Sequence, residues 1–143
     1  MNTEFTQIFP TGEPNEAFAE YFIGQSYMAP LTDGKVPVNN VTFEPGCRNN
    51  WHIHHGTNGG GDQILLCTAG SGRYQDEGKD PVSMEPGTVI SIPAGTKHWH
   101  GAKADAWISH LAFITPGEEV SNEWLEPVTD EVYGALPTTG GKA

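Results

Sequence analysis

The 143-residue chain carries 7 Lys and Arg against 18 Asp and Glu, a formal net charge of −11, and only 17% of its residues are charged, where about 25% is usual. With no Lys/Arg cluster to offset that charge, nucleic acid and anionic membrane surfaces drop out as default partners. Eighteen glycines, 11 prolines and 10% aromatic residues favour many short strands over long helices, and the length suffices for a core without disulfide or zinc staples.

Residues 1–35 read as an N-terminal arm or lead-in, with Pro10, Pro14 and Pro30 and one short helix around Glu16 to Phe22. Met1 to Phe5 show neither a basic region nor an apolar run, so a soluble cytoplasmic protein is expected. Residues 36–136 form the expected barrel and its extension. Apolar or β-branched bursts recur there at Val36–Phe43, Trp51–His54, Gln63–Ala69, Arg73–Gln75, Val82–Met84, Thr88–Ile92, His98–His100 and Trp107–Ile114. Gly/Pro turns such as Glu44-Pro45-Gly46, Glu85-Pro86-Gly87 and Pro93-Ala94-Gly95 separate them, the pattern of an antiparallel sandwich or small barrel. Gly56 to Gly61 is the one low-complexity stretch, and its glycines suggest a mobile loop rather than a packed one. Thr129, with Asp130 and Glu131, is placed to cap a short helix ending near Ala135, after which 137–143 reads as a flexible tail. Cys47 and Cys67 lie outside any CxxC spacing and are expected to be unlinked thiols.

The chemistry concentrates in the histidines. All six lie between positions 52 and 110, and four form the pairs His52/His54 and His98/His100. Alternate residues of a strand share a face, so each pair points two imidazoles one way. Neutral imidazole is a ready ligand for divalent transition metals, and His98 would add a third ligand from a later strand.

The surrounding spacing is specific. Gly46 is followed by five residues and His52-Ile53-His54, Gln63 by six residues and Gly70, and Gly87 by five residues, Pro93-Ala94-Gly95, two more and His98. This resembles both motifs of the cupin family. The resemblance implies an all-β fold, a double-stranded β-helix barrel with an N-terminal arm and a short C-terminal helix. By position it implies His52, His54, Gln63 and His98 as ligands of one divalent ion, with manganese, iron, nickel and zinc equally suited. Eight residues, His55 to Asp62, stand between the second histidine and Gln63, where the family usually has three or four and then a carboxylate. Asp62 is the rival ligand, but it falls on the opposite face if Leu65 and Cys67 continue the register of Gln63. An amide ligand leaves the ion's charge uncompensated, so the site should polarise bound oxygen and attract small-molecule substrates, anionic ones included.

The segments Val41–Gly46, Trp51–His54, Lys97–Ala102, His110–Ala112 and Val128–Glu131 resemble the small single-domain bacterial cupins that include manganese-dependent hydroxynitrile lyases, and those found with carboxymuconolactone decarboxylase-like domains. In the lyases, three histidines and a glutamine hold the metal. A further histidine on the strand matching His110 and a threonine before the first histidine pair handle the substrate hydroxyl. Asn49 occupies that threonine position here, an amide without a hydroxyl proton.

From the residues themselves, His110 is either a general base facing the ligands or a core histidine bonded to a backbone carbonyl. His100 is a proton carrier, a metal-side support or an orienting partner, and His55 a solvated loop residue. Trp51, Trp99 and Trp107 read as packing. Ile64 and Leu66, opposite Gln63 and Leu65, need cover on the outer face, from a homodimer partner or from the arm. The favoured reading is a metal-dependent lyase or isomerase in which His110, His100 and Asn49 serve the reaction. The rivals are a metal-dependent dioxygenase and a non-catalytic binding or sensor module.

Overall fold

A computed structural model describes residues 5–134. Its strands in chain order are β1 (Glu13–Pro14), β2 (Phe22–Ile23), β3 (Ser26–Pro30), β4 (Asn39–Phe43), β5 (Arg48–Asn49), β6 (His52–Thr57) and β7 (Gln63–Gly70). They continue as β8 (Gly72–Asp76), β9 (Val82–Met84), β10 (Val89–Ile92), β11 (His98–Ala102), β12 (Ile108–Ile114) and β13 (Glu118–Trp124), closed by the helix α1 (Asp130–Gly134). One antiparallel sheet has the order β1-β3-β4-β12-β7-β10. The other runs β13-β6-β11-β5-β2, with β8 and β9 attached through β11. No described helix is long and apolar enough to cross a membrane.

The two sheets enclose a core of Phe43, Leu65, Tyr74, Met84, Ile92 and Ile108, with both cysteines beside them as free thiols. Burial pushes the Cys47 thiol up to about 12 and the Cys67 thiol up to about 11, so both are inert at neutral pH. Strand alternation carries this arrangement. Along β7, Gln63, Leu65 and Cys67 are buried while Ile64 and Leu66 are half-buried, the two-residue period of a pleated strand.

Two expectations about the lead-in change. The lead-in is more than an arm, because β3 pairs with β4 over five residues, from Ser26↔Phe43 to Pro30↔Asn39, and the sheet therefore begins before residue 36. The short helix there shrinks to a single 3-10 turn, Ala19–Tyr21. The acidic stretch after Ile114 forms strand β13, paired with β6 through Asn122↔His54 and Trp124↔His52. All its residues are exposed except half-buried Trp124, so no apolar alternation marked it as a strand.

The glycine loop also differs from expectation. A side chain on Gly60 would meet Gly117 Cα at 2.8 Å, and one on Gly61 would meet the backbone of Gly56 and His55. Gly61 N–H donates to the Thr115 carbonyl at 3.1 Å, and Thr115 Oγ1 donates to the Gly59 carbonyl at 2.8 Å. The glycines permit close backbone packing, which ties the β6–β7 connection to the start of β13.

The outer face of β4 is covered from within: Asn40 Nδ2 donates to Gln7 Oε1 and to the Pro10 carbonyl, and Gln7 Nε2 donates to Thr42 Oγ1. Farther across the same sheet, Val89 lies opposite Leu66 and stays 61% exposed. Thr129 Oγ1 accepts the Val132 N–H at 3.2 Å and caps α1. The expected tail at 137–143 lies outside the described residues.

Candidate metal centre

Four strands meet at the histidines. Strand β6 supplies His52 and His54, β11 supplies His98 and His100, β7 supplies Gln63 and β12 supplies His110. All six side chains are buried. The cross-strand pair His98↔His52 brings those two rings to 4.2 Å between centroids, with His54 at 5.0 Å from His52 and 5.5 Å from His98.

Each of these three rings is oriented through Nδ1. His52 Nδ1 faces the Asn50 carbonyl at 2.8 Å, His98 Nδ1 the Thr96 carbonyl at 2.9 Å and His54 Nδ1 the Asn122 Oδ1 at 2.6 Å. Those partners are acceptors, so each Nδ1 carries the proton and donates, leaving every Nε2 as a bare lone pair. Gln63 Oε1 then lies 3.1 Å from His54 Nε2 and 3.3 Å from His98 Nε2. Acceptors facing acceptors repel unless a cation sits among them, which makes the donor set fit a divalent ion. Burial holds His98 down to about 4 and pushes His52 and His54 below the usual histidine range, so protons do not fill this role at neutral pH.

Asp62, the rival to Gln63, turns away and accepts the Ala94 N–H with Oδ1 at 2.9 Å. His55 is on the surface, 2.8 Å from Glu123. Trp99 is buried and donates to Gln75 Oε1, whereas Trp107 stacks on Phe5 and Tyr27.

His100 and His110 lie deeper, 4.9 Å apart and edge-on. Asn49 Oδ1 accepts the His100 backbone N–H at 2.9 Å, and its Nδ2 lies 3.4 and 3.3 Å from the two His100 ring nitrogens. Close approach of β5 to β11 makes this contact, since a side chain on Gly101 would meet the Cys47 carbonyl and the Arg48 Cα. Neither ring nitrogen of His110 has a partner at hydrogen-bond distance, and the nearby backbone of His110 and Leu111 only partly offsets its burial. Burial lowers His110 to about 4 and places His100 well below the usual range.

A cavity of about 300 Å³ opens onto His52, His54, Gln63, His100, His110 and Asn49. Its other walls include Phe22, Met28, Val41 and Trp124, and among the described residues no Lys, Arg, Asp or Glu lines it. Two contributors went unread in the sequence. Asn122 orients His54, and Trp124 lies 4.8 Å from the His52 ring while stacking on Tyr21 at 4.7 Å. Their only signal was the alternation 122/124 on β13.

The cupin domain family matches residues 39–124, more than half of the chain. An (R)-mandelonitrile lyase of Granulicella tundricola is 38% identical over 119 residues, covering 80% of this chain and 87% of that protein. A cupin-like protein of Thermotoga maritima superposes with a TM-score of 0.82 at 36% identity, over 96% of this chain and 100% of its own. A second Thermotoga maritima structure, described as a predicted oxalate decarboxylase, shares the fold with a TM-score of 0.62 at 22% identity, over 80% of this chain and 95% of its own.

Proposed function

The chain belongs to the cupin family, and from that membership we propose that it is a metal-dependent lyase for small molecules, acting as a hydroxynitrile lyase in its most specific form. His52, His54, Gln63 and His98 hold one divalent ion. The observation that carries the reading is the tautomer pattern: three Nδ1 nitrogens face fixed acceptors, and the Nε2 atoms of His54 and His98 converge on Gln63 Oε1, with the His52 ring packed against both. The likeness to a mandelonitrile lyase supports the choice of reaction.

A bound divalent ion supplies Lewis-acid polarisation of a substrate oxygen. The chain's residues do the rest. The apolar walls at Phe22, Met28, Val41 and Trp124 take an uncharged arm and exclude water. His110, neutral and unpartnered, accepts the proton of the substrate hydroxyl. As that O–H electron pair forms the carbonyl, the bond to cyanide breaks and cyanide leaves with its electrons, then takes up the proton held by His110, which returns the imidazole to its neutral form. His100, held by Asn49, borders His110 and fixes its edge.

The test uses manganese-loaded protein and racemic mandelonitrile, following benzaldehyde release. Metal-dependent release is expected, with His110→Ala losing it while keeping the metal. Metal-bearing wild type that releases nothing would end the lyase reading and leave the metal site standing. We also read the half-covered face around Leu66 and Val89 as the seat of a homodimer. Sedimentation should then show a dimer that Val89→Glu converts to a monomer.

A further inference from the structure

His52 and His98 belong to two overlapping triads. With His54 they form an outer one at the cavity, next to Gln63 Oε1. With His100 they form an inner one, in which the His100 ring lies 5.5 Å from His52 and 6.0 Å from His98. One ring nitrogen from each of His52, His98 and His100 lies within 4.8 Å of the other two.

We infer that the cavity floor offers two positions for a single divalent ion, an outer one on His52, His54, Gln63 and His98 and an inner one on His52, His98 and His100. The inference rests on the reading that the histidine cluster binds metal, and adds that His54 and His100 exchange as the third imidazole.

Imidazole nitrogens bind such ions at about 2.0–2.1 Å, so three of them around one ion sit about 3.3 Å apart. The nitrogens lie within 4.8 Å of one another, so binding requires them to close up by about 1.5 Å at most, and His100, whose ring faces no carbonyl, is the ring placed to turn. Asn49 Nδ2 lies 3.3 and 3.4 Å from the two His100 nitrogens. It can donate in line to one, which leaves the other for the ion. The two exchangeable ligands are also anchored differently. His54 is turned by one side chain, Asn122, from the neighbouring strand β13, whereas the His100 backbone is fixed by Asn49 within the barrel. An ion at the inner position would leave His54 and Gln63 free and lie closer to His110, whose ring is 4.9 Å from that of His100.

Cobalt(II) serves as the probe, titrated into the full chain with affinity and visible absorption as readouts. Wild type and His100→Ala should each bind about one ion. His54→Ala should still bind one, on the order of 10–100-fold more weakly and with a changed spectrum. His54→Ala/His100→Ala should bind none, like His52→Ala, which loses both triads. Hyperfine-shifted ring signals of His100 should appear in cobalt-loaded His54→Ala and be missing from the wild type. If His54→Ala unfolds, His54→Asn takes its place under the same criteria. The inference is overturned if the His54 variant binds as poorly as His52→Ala, or if adding His100→Ala changes nothing. A wild type that takes up no cobalt would overturn the metal reading itself, and this inference with it.

Discussion

The two halves of the histidine cluster are built on opposite terms. In the His52, His54 and His98 group every Nδ1 is committed to an oxygen acceptor at 2.6–2.9 Å, so each ring presents one lone pair in one direction. In the His100 and His110 group, the His100 ring nitrogens face only the Asn49 amide and neither His110 ring nitrogen has a partner at hydrogen-bond distance, while the two rings meet edge-on. Orientation suits holding a charge, because a ligand must stay deprotonated and aimed. Vacant hydrogen-bonding capacity suits a group that meets a transient partner, since a buried unpaired nitrogen costs free energy unless something visits it.

The comparison breaks most sharply at the shared ligands. His98→Ala should reduce metal content from about one ion per chain to none by elemental analysis, whereas His110→Ala should leave it unchanged. Equal loss in both would erase the division between the halves.

Acid should act on both halves. Burial depresses the folded-state values of His98 and His110 to about 4, from about 6.5 in the unfolded chain. Between those values the unfolded state binds more protons, so stability rises with pH across that window and is lost as pH falls from about 6.5 toward 4. At 1.36 kcal/mol per unit each group accounts for about 3 kcal/mol at most. Urea melts of metal-free protein at a series of pH values should show the decline setting in as pH falls below about 7, with buried His52, His54 and His100 adding to it. Excess divalent metal should oppose it in wild type but not in His98→Ala.

A smaller effect isolates orientation. Asn122→Leu removes the acceptor that turns His54 and should weaken metal binding about 10-fold, the low end of the range for such supporting partners. The surface control, His55→Ala, breaks only the exposed pair with Glu123 and should change stability by less than about 1 kcal/mol, with metal affinity intact.

Much of this arrangement is legible in the chain. The alternation His52-Ile53-His54 fixes two imidazoles on one face, the register of Gln63, Leu65 and Cys67 sets Gln63 inward and Asp62 outward, and Gly/Pro punctuation marks most strands of the barrel. These are local properties: a pleated strand repeats every two residues, and turn residues act over three or four. What the chain could not disclose depends on residues far apart in sequence. Nothing near Asn122 or Trp124 says that they reach His54 and His52, because β13 finds β6 across more than 60 positions. The packing of Gly60 on Gly117, where an unpacked loop was expected, is equally remote. The tautomers are decided the same way. A histidine's sequence offers two equivalent nitrogens, and only the carbonyl or amide that folding sets against Nδ1 determines which lone pair is left to bind.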